Sequence, residues 1–393
     1  MKGFNSFYPI FSKKEYEKRH DNIRKMMIDK GLACLVVAGS SARWNEKNAN
    51  IRYISNWCGK ENICSYIVFP LEGEPTLLLW STVRLKNAKE MSFLKDIRGV
   101  HPHYAKAISE RIKELRLEDE KIGIEGIDEY TSIPLNHYQE LRQECPKAEF
   151  KFVSIVSNLR LIKSPEEIGF MKRAAQLCDM AIETFATETK IGMKDYEVYA
   201  KIEYAITSNG GESPSLLLVG STSMSNPRMP FPFIHPTNRT IENGDVVLTE
   251  ITARYGGYWA QTHKTLFVGE PLKEYRELFD VALESYMITV EELRPGNDVK
   301  NVLRGKSPME RAGLSTVAPV AHGIGMEAPE DPVIGLAHWP PQKMKLKEGM
   351  TFTVEPNPST EDFSRGVFLG DTFVITGEGA QCLHKKSPEM IMI

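Results

Sequence analysis

Residues 246–265 read VVLTEITARYGGYWAQTHKT: two β-rich runs that meet at Tyr255, Gly256 and Gly257, the composition of a hairpin. Alternate residues of a strand share a face. Val246, Leu248, Glu250 and Thr252 therefore lie together on the first strand, and Trp259, Gln261, His263 and Thr265 on the second. Paired across the hairpin, Glu250, Gln261 and His263 meet beside apolar neighbours. A charge in such surroundings is costly unless it is paired, hydrated or used. A hydrogen-bonded polar cluster or an exposed sheet face meets that condition, and so does a functional pocket.

Two later segments favour the pocket. In AHGIGMEAPEDP, glycines flank Ile324 and let backbone approach closely, with His322 at the mouth of a tight turn. In MTFTVEPNP, Glu355 ends an apolar strand just before Pro356, where a buried carboxylate needs a partner. Taken singly, the histidine reads as a turn residue bonded to backbone and the glutamate as half of a salt bridge. As a set, Glu250, Gln261, His263, His322 and Glu355 make a convergent polar pocket, which is more specific than any one member.

A chain of 393 residues exceeds one ordinary core and suits two domains. The first part alternates helical and strand patterns, with an amphipathic run at Lys13–Lys30, a helical run at Ile108–Leu115, and the strands ACLVVAG, SYIVFP, PTLLLW and KIGIEG, which is an α/β domain with a mixed sheet. Near residue 160 the pattern changes. Ser164, Pro165 and Glu167 form a capping box that opens a long amphipathic helix. The domains are expected at 1–158 and 159–393. In the second, helices are expected at Asp195–Asn209, Lys273–Leu293 and Asp298–Ala312, and strands at 214–220, 246–255, 257–268, 350–356 and 366–376, an α+β domain with helices on one face of an antiparallel sheet.

The 49 basic and 52 acidic residues are interspersed, giving a net charge of -3. No sustained basic face invites nucleic acid or an anionic membrane. No segment approaches the ~20 apolar residues of a membrane span, and the N-terminus has no stretch of signal-peptide length. The six cysteines are scattered, as reduced thiols of a cytoplasmic protein would be.

The blocks NIRYISNW, RLIKSPEEIGFMKRAAQLCD, PTNRTIENGDVVL, HGIGME, EGMTFTVEPN and RGVFLGDTFVIT, in this order, resemble the pita-bread superfamily of methionine aminopeptidases, Xaa-Pro peptidases and creatinase. The resemblance implies a creatinase-like N-terminal domain, a C-terminal pita-bread domain and a homodimer. Peptidases of that superfamily hold two divalent metals with Asp, Asp, His, Glu and Glu. Carried onto this chain, those positions are Glu250, Gln261, His322, Glu355 and Gly370, so both metal-bridging carboxylates are replaced. A histidine of the family falls on Phe233, with His235 two residues later, and another falls on Pro329. The position of a substrate-gripping glutamate of creatinase is His263, and a second such glutamate matches Glu355.

What remains resembles the metal-free creatinase branch. The expectation is a metal-independent hydrolase of a C–N bond in a small polar molecule, with no cofactor. His263 and Glu355 are the candidate bases, Glu250 pairs with a cationic or amide group, and Gln261 and His322 stabilise developing negative charge. Phe233 and Trp259 are expected as aromatic walls and His235 as a further substrate contact. The alternatives are an Xaa-Pro-type dipeptidase with one divalent metal at Glu250, His322 and Glu355, and a non-catalytic binding domain.

Overall fold

The computed structural model describes residues 8–39, 48–58, 64–80, 82–100, 103–125, 133–213, 216–232, 235–336, 343–385 and 388–393. It divides into two compact units, Met1–Arg160 and Leu161–Ile393. Among the described residues, no helix is long and apolar enough to cross a membrane.

The first unit is built on strands β1 (Cys34–Ala38), β2 (Ser65–Pro70), β3 (Thr76–Leu79), β4 (Asp96–Gly99), β5 (Lys121–Glu125) and β6 (Glu149–Val153), ordered β4-β3-β2-β1-β5-β6. β2 runs antiparallel to β1 and β3, while the remaining pairings, β1–β5, β3–β4 and β5–β6, are parallel, so the expected mixed sheet is present. The central strands read as unbroken apolar runs because they are covered on both faces. CLVVA and SYIVFP are buried along their whole length. Ser12 caps the Lys13–Asp29 helix by accepting the Glu15 amide at 3.2 Å.

In the second unit, the Pro165–Glu188 helix opens with the expected box. The Glu167 amide donates to Ser164 Oγ at 3.3 Å, and the Ser164 amide donates to Glu167 Oε2 at 2.6 Å. Its apolar stripe, including Met171, Ala174, Cys178 and Phe185, is buried, and the helix packs on the hairpin strands.

The strands of this unit are β7 (Leu216–Ser223), β8 (Asp245–Tyr255), β9 (Tyr258–Phe267), β10 (Ser315–Thr316), β11 (Ala321–Gly323), β12 (Glu330–Ile334), β13 (Thr351–Val354), β14 (Pro358–Ser359), β15 (Asp371–Thr376), β16 (Gly379–Cys382) and β17 (Ile391–Met392). They form a four-stranded sheet, β17-β9-β8-β7, a five-stranded sheet, β12-β11-β13-β15-β16, and the pair β10-β14. Gly256 and Gly257, at φ 58° and 86°, make the two-residue turn between β8 and β9, a conformation that side chains strain against.

The two sheets meet along β9. The amides of Trp259, Gln261 and His263 donate to Gly325 O, Thr372 Oγ1 and Gly370 O at 2.8, 2.8 and 2.9 Å. The Gly370 amide returns to His263 O at 3.2 Å. Every second backbone group of β9 is thus spent on the second sheet, which brings β11, β13 and β15 against the hairpin.

Two expected elements differ. Asp298–Ala312 is not one helix but a 3-10 segment, Val299–Lys306, followed by a short helix, Ser307–Arg311. Pro308 has no amide to give Arg304 O, and Gly305 lies so close to the Thr289 side chain that a Cβ would collide. The strand expected over 366–376 begins at Asp371. Before it, side chains replace the ladder: the Phe368 amide donates to Thr265 Oγ1 at 2.7 Å and the Leu369 amide to Asn357 Oδ1 at 3.1 Å.

Candidate active site

The hairpin register pairs Glu250 with His263 and Thr252 with Gln261. Because Gln261 and His263 aim their own backbone at the second sheet, both rungs are of the non-hydrogen-bonded kind, in which facing side chains come closest. Gln261 Nε2 donates to Glu250 Oε1 at 2.6 Å. From the second sheet, Glu355 follows β13 and His322 sits on β11, at a register shift between His322 and Gly323.

His263 is fully buried, and its Nε2 lies 2.9 Å from Glu355 Oε2 and 3.4 Å from Glu250 Oε2. Charge, more than bond alignment, carries these contacts. Burial opposes a protonated ring, but the Glu355 and Glu250 carboxylates outweigh it and push the His263 pKa up to about 9. His322 Nδ1 donates to its neighbour Gly323 O at 2.7 Å, and His322 Nε2 faces Glu355 Oε1 at 3.4 Å.

Five expected residues, Glu250, Gln261, His263, His322 and Glu355, are therefore buried in one contiguous cluster drawn from four strands or strand ends. Trp259 is buried on the same hairpin face, with the Arg254 guanidinium 4.8 Å above its ring. His235 is exposed, unlike these five. Phe233 lies outside the described residues. Thr252 was given no role in the sequence, although strand alternation already put it on the face of Glu250.

A mixed-sheet α/β unit followed by an α+β unit, with carboxylates and imidazoles gathered at the seam of its sheets, is the architecture of a two-domain hydrolase. The chain belongs to metallopeptidase family M24, whose model matches residues 169–377, and residues 19–162 match the creatinase/prolidase N-terminal domain. It is similar to an Xaa-Pro dipeptidase of Pyrococcus horikoshii, 28% identical over 349 residues that cover 88% of this chain and 93% of that protein. The crystal structure of the prolidase from Pyrococcus horikoshii OT3 superposes with a TM-score of 0.78 at 26% identity, covering 95% of this chain and 99% of that one. A prolidase from Thermococcus sibiricus shares the fold, with a TM-score of 0.82 at 24% identity over 98% of this chain and all of that one. The expected class, a hydrolase of carbon–nitrogen bonds in the pita-bread superfamily, stands.

The expectation of a site without a cofactor does not stand. The family is one of metallopeptidases, and the relatives are Xaa-Pro dipeptidases.

Among the described residues no three His, Cys, Asp or Glu side chains stand together as a formed metal site; what the cluster holds is donor groups of the kind a single divalent cation takes. Glu250 and Glu355 supply two negative charges, and Gln261 Oε1 is a buried acceptor with no hydrogen-bond partner among the described residues. With Nδ1–H committed to Gly323 O, His322 turns Nε2 toward Glu355 Oε1 at 3.4 Å, the side of the ring from which an imidazole ligates a cation. A second cation has less support. Position 261 is neutral, and a Cβ added at Gly370 would lie 2.5 Å from Val354 O and 2.8 Å from His263 Nδ1, leaving no room for a carboxylate side chain.

Proposed function

We propose that this chain is a dipeptidase of the Xaa-Pro type that uses one divalent cation, held by Glu250, His322 and Glu355. The observation that carries the reading is the orientation of His322, whose Nδ1–H is fixed by Gly323 O so that Nε2 faces Glu355 across 3.4 Å. The orienting hydrogen bond is the device by which proteins present imidazole to a metal. The names and fold of the relatives support the substrate class.

The remaining steps belong to the side chains. A divalent cation held by Glu250, His322 and Glu355 would supply Lewis acidity to the peptide carbonyl and to the attacking water. Glu355 takes the proton of the attacking water and delivers it to the leaving nitrogen as the carbon–nitrogen bond breaks. His263, against Glu355 Oε2, fixes that carboxylate and tempers its charge. Gln261 Nε2 holds Glu250 in place. The burial of all five groups excludes bulk water, which strengthens each electrostatic contact.

The test is reconstitution of the purified protein with manganese, cobalt or zinc, followed by metal analysis and a screen of Xaa-Pro dipeptides. One ion per chain and turnover abolished by chelation are expected. Absence of turnover on every Xaa-Pro dipeptide removes the substrate class, and two tightly held ions per chain remove the single-cation assignment.

A further inference from the structure

At the outer strand of the four-stranded sheet, a cavity of about 680 Å³ is lined by Thr222 of β7, by Arg228 and Met229 after it, and by Arg239, Thr240 and Glu242 ahead of β8. None of Glu250, Gln261, His263, His322 and Glu355 lines it. The fixed group in it is one guanidinium. Arg239 Nη1 and Nη2 donate end-on to Asp245 Oδ2 and Oδ1 at 2.5 and 2.7 Å, and Nη1 also donates to Ser221 Oγ at 2.8 Å. Ser221 Oγ and Thr237 Oγ1 are in turn held by donating to the two oxygens of the buried Asp195 carboxylate, at 2.5 and 2.6 Å.

A guanidinium has more than one edge that can take a carboxylate. Asp245 occupies the edge between Nη1 and Nη2, while the edge formed by Nε–H and the outer Nη2–H meets no acceptor among the described residues. The side chain is 32% exposed, so a ligand can reach that open fork. An arginine already held in place spares a ligand the cost of ordering it. Thr222 Oγ1 accepts the Arg228 amide at 3.0 Å and keeps its own hydrogen to donate. Arg228 adds a second positive charge, and its guanidinium meets no partner among the described residues. One negative group is open as well: Glu242 spends its amide on Asp245, and its carboxylate accepts no hydrogen bond among the described residues. The Asp245 hydrogen bond above all, then the charges of Asp245, Asp195 and Glu242, raises the Arg239 pKa. Two arginines among three carboxylates give no net positive field for a multiply charged anion. They suit a ligand that carries one carboxylate and one cationic group.

We infer that this cavity is a second ligand site and that it takes a zwitterionic α-amino acid. The carboxylate sits on the open Arg239 fork and the Thr222 hydroxyl with Arg228 beside it, the ammonium group faces Glu242, and Met229 is the apolar wall for a small side chain. The inference does not rest on the dipeptidase reading, because the cavity shares no residue with that site.

The experiment is calorimetric titration of the full chain in chelator, so that nothing is held through a cation, with L-alanine, L-alaninamide, N-acetyl-L-alanine and inorganic phosphate. One L-alanine per chain is expected, and removal of either ligand charge should weaken binding about tenfold, the factor set by one hydrogen bond to a charged group. Arg228 and Glu242 are exposed, so Arg228→Ala and Glu242→Gln should keep the wild-type unfolding midpoint. Arg228→Ala should weaken L-alanine and N-acetyl-L-alanine alike. Glu242→Gln should weaken L-alanine about tenfold and leave N-acetyl-L-alanine as it was. No binding of L-alanine at about 10 mM, equal affinity for the amide or the acetylated form, or binding that neither variant weakens overturns the site. Phosphate bound more tightly than L-alanine makes the cavity a site for anions alone and overturns the zwitterion assignment.

Discussion

The His263 ring and Gly370 share one space: a Cβ at position 370 would lie 2.8 Å from His263 Nδ1, and the two backbones pair as an isolated bridge. The imidazole reaches Glu250 and Glu355 because residue 370 has no side chain. Gly370→Ala should therefore destabilise the protein by about 1–3 kcal/mol, the range for overpacking a full interior. His263→Ala in the same chain should recover only part of that loss, because Val354 O, 2.5 Å from the added Cβ, remains. A double-mutant cycle by urea denaturation measures the coupling, and strictly additive effects would contradict the shared space.

Removing the imidazole alone has a different consequence. His263 lies against Glu250 and Glu355, and His263→Ala leaves two buried carboxylates facing each other. In chelator the variant should lose about 3 kcal/mol of stability, as buried pairs do when one partner is removed. Saturating divalent cation should return much of that loss, since it supplies the missing positive charge. Equal deficits with and without cation would mean that the ion does not enter this cluster.

How much of this was legible in the sequence follows from the range of each interaction. The facing of Glu250, Gln261 and His263 is local, because a period of two and a glycine turn decide it. Their meeting with His322 and Glu355 depends on β9 spending its free backbone edge on Gly325, Gly370 and Thr372, partners far along the chain that no local pattern announces. The glycine-flanked His322 and the strand-ending Glu355 were conspicuous as residues needing partners, but the partners themselves were not. Position 370 shows the other limit. Its missing side chain was visible, whereas the occupation of that space by His263 is a packing fact. The 298–312 segment had the apolar spacing of one helix, yet Pro308 and the close approach of Gly305 to Thr289 broke it into two.

Another buried histidine gives the pH dependence. His20 Nε2 donates to Ile54 O at 3.0 Å, between the edges of Phe69 and Phe93. Burial lowers its pKa from the ordinary 6.5, so the folded protein keeps the ring neutral. Above the unfolded-state pKa neither state is protonated and the group contributes no slope. As pH falls below it, the unfolded chain takes up the proton first and stability declines. His20→Gln should flatten that part of the profile in urea denaturation between about pH 5 and pH 7. An unchanged slope would assign the proton uptake to another group.

The proposed function gives Glu355 two tasks, to hold the cation with His322 and to carry the proton between water and leaving nitrogen, and its two oxygens face different partners. Oε1 lies toward His322 Nε2 and Oε2 toward His263 Nε2. Glu355→Gln keeps the shape but removes the charge and the basicity. On Xaa-Pro dipeptides kcat should fall by about 10²–10⁴, the range for loss of a general base. Cation affinity should weaken alongside it, because one of two carboxylate ligands has become an amide. Glu355→Asp keeps the charge on a shorter arm, so it should retain the cation better than it retains turnover. Metal analysis and kinetics on the two variants separate the roles: a Gln variant that binds cation normally but does not turn over leaves Glu355 as base alone, and one that turns over normally leaves it as neither.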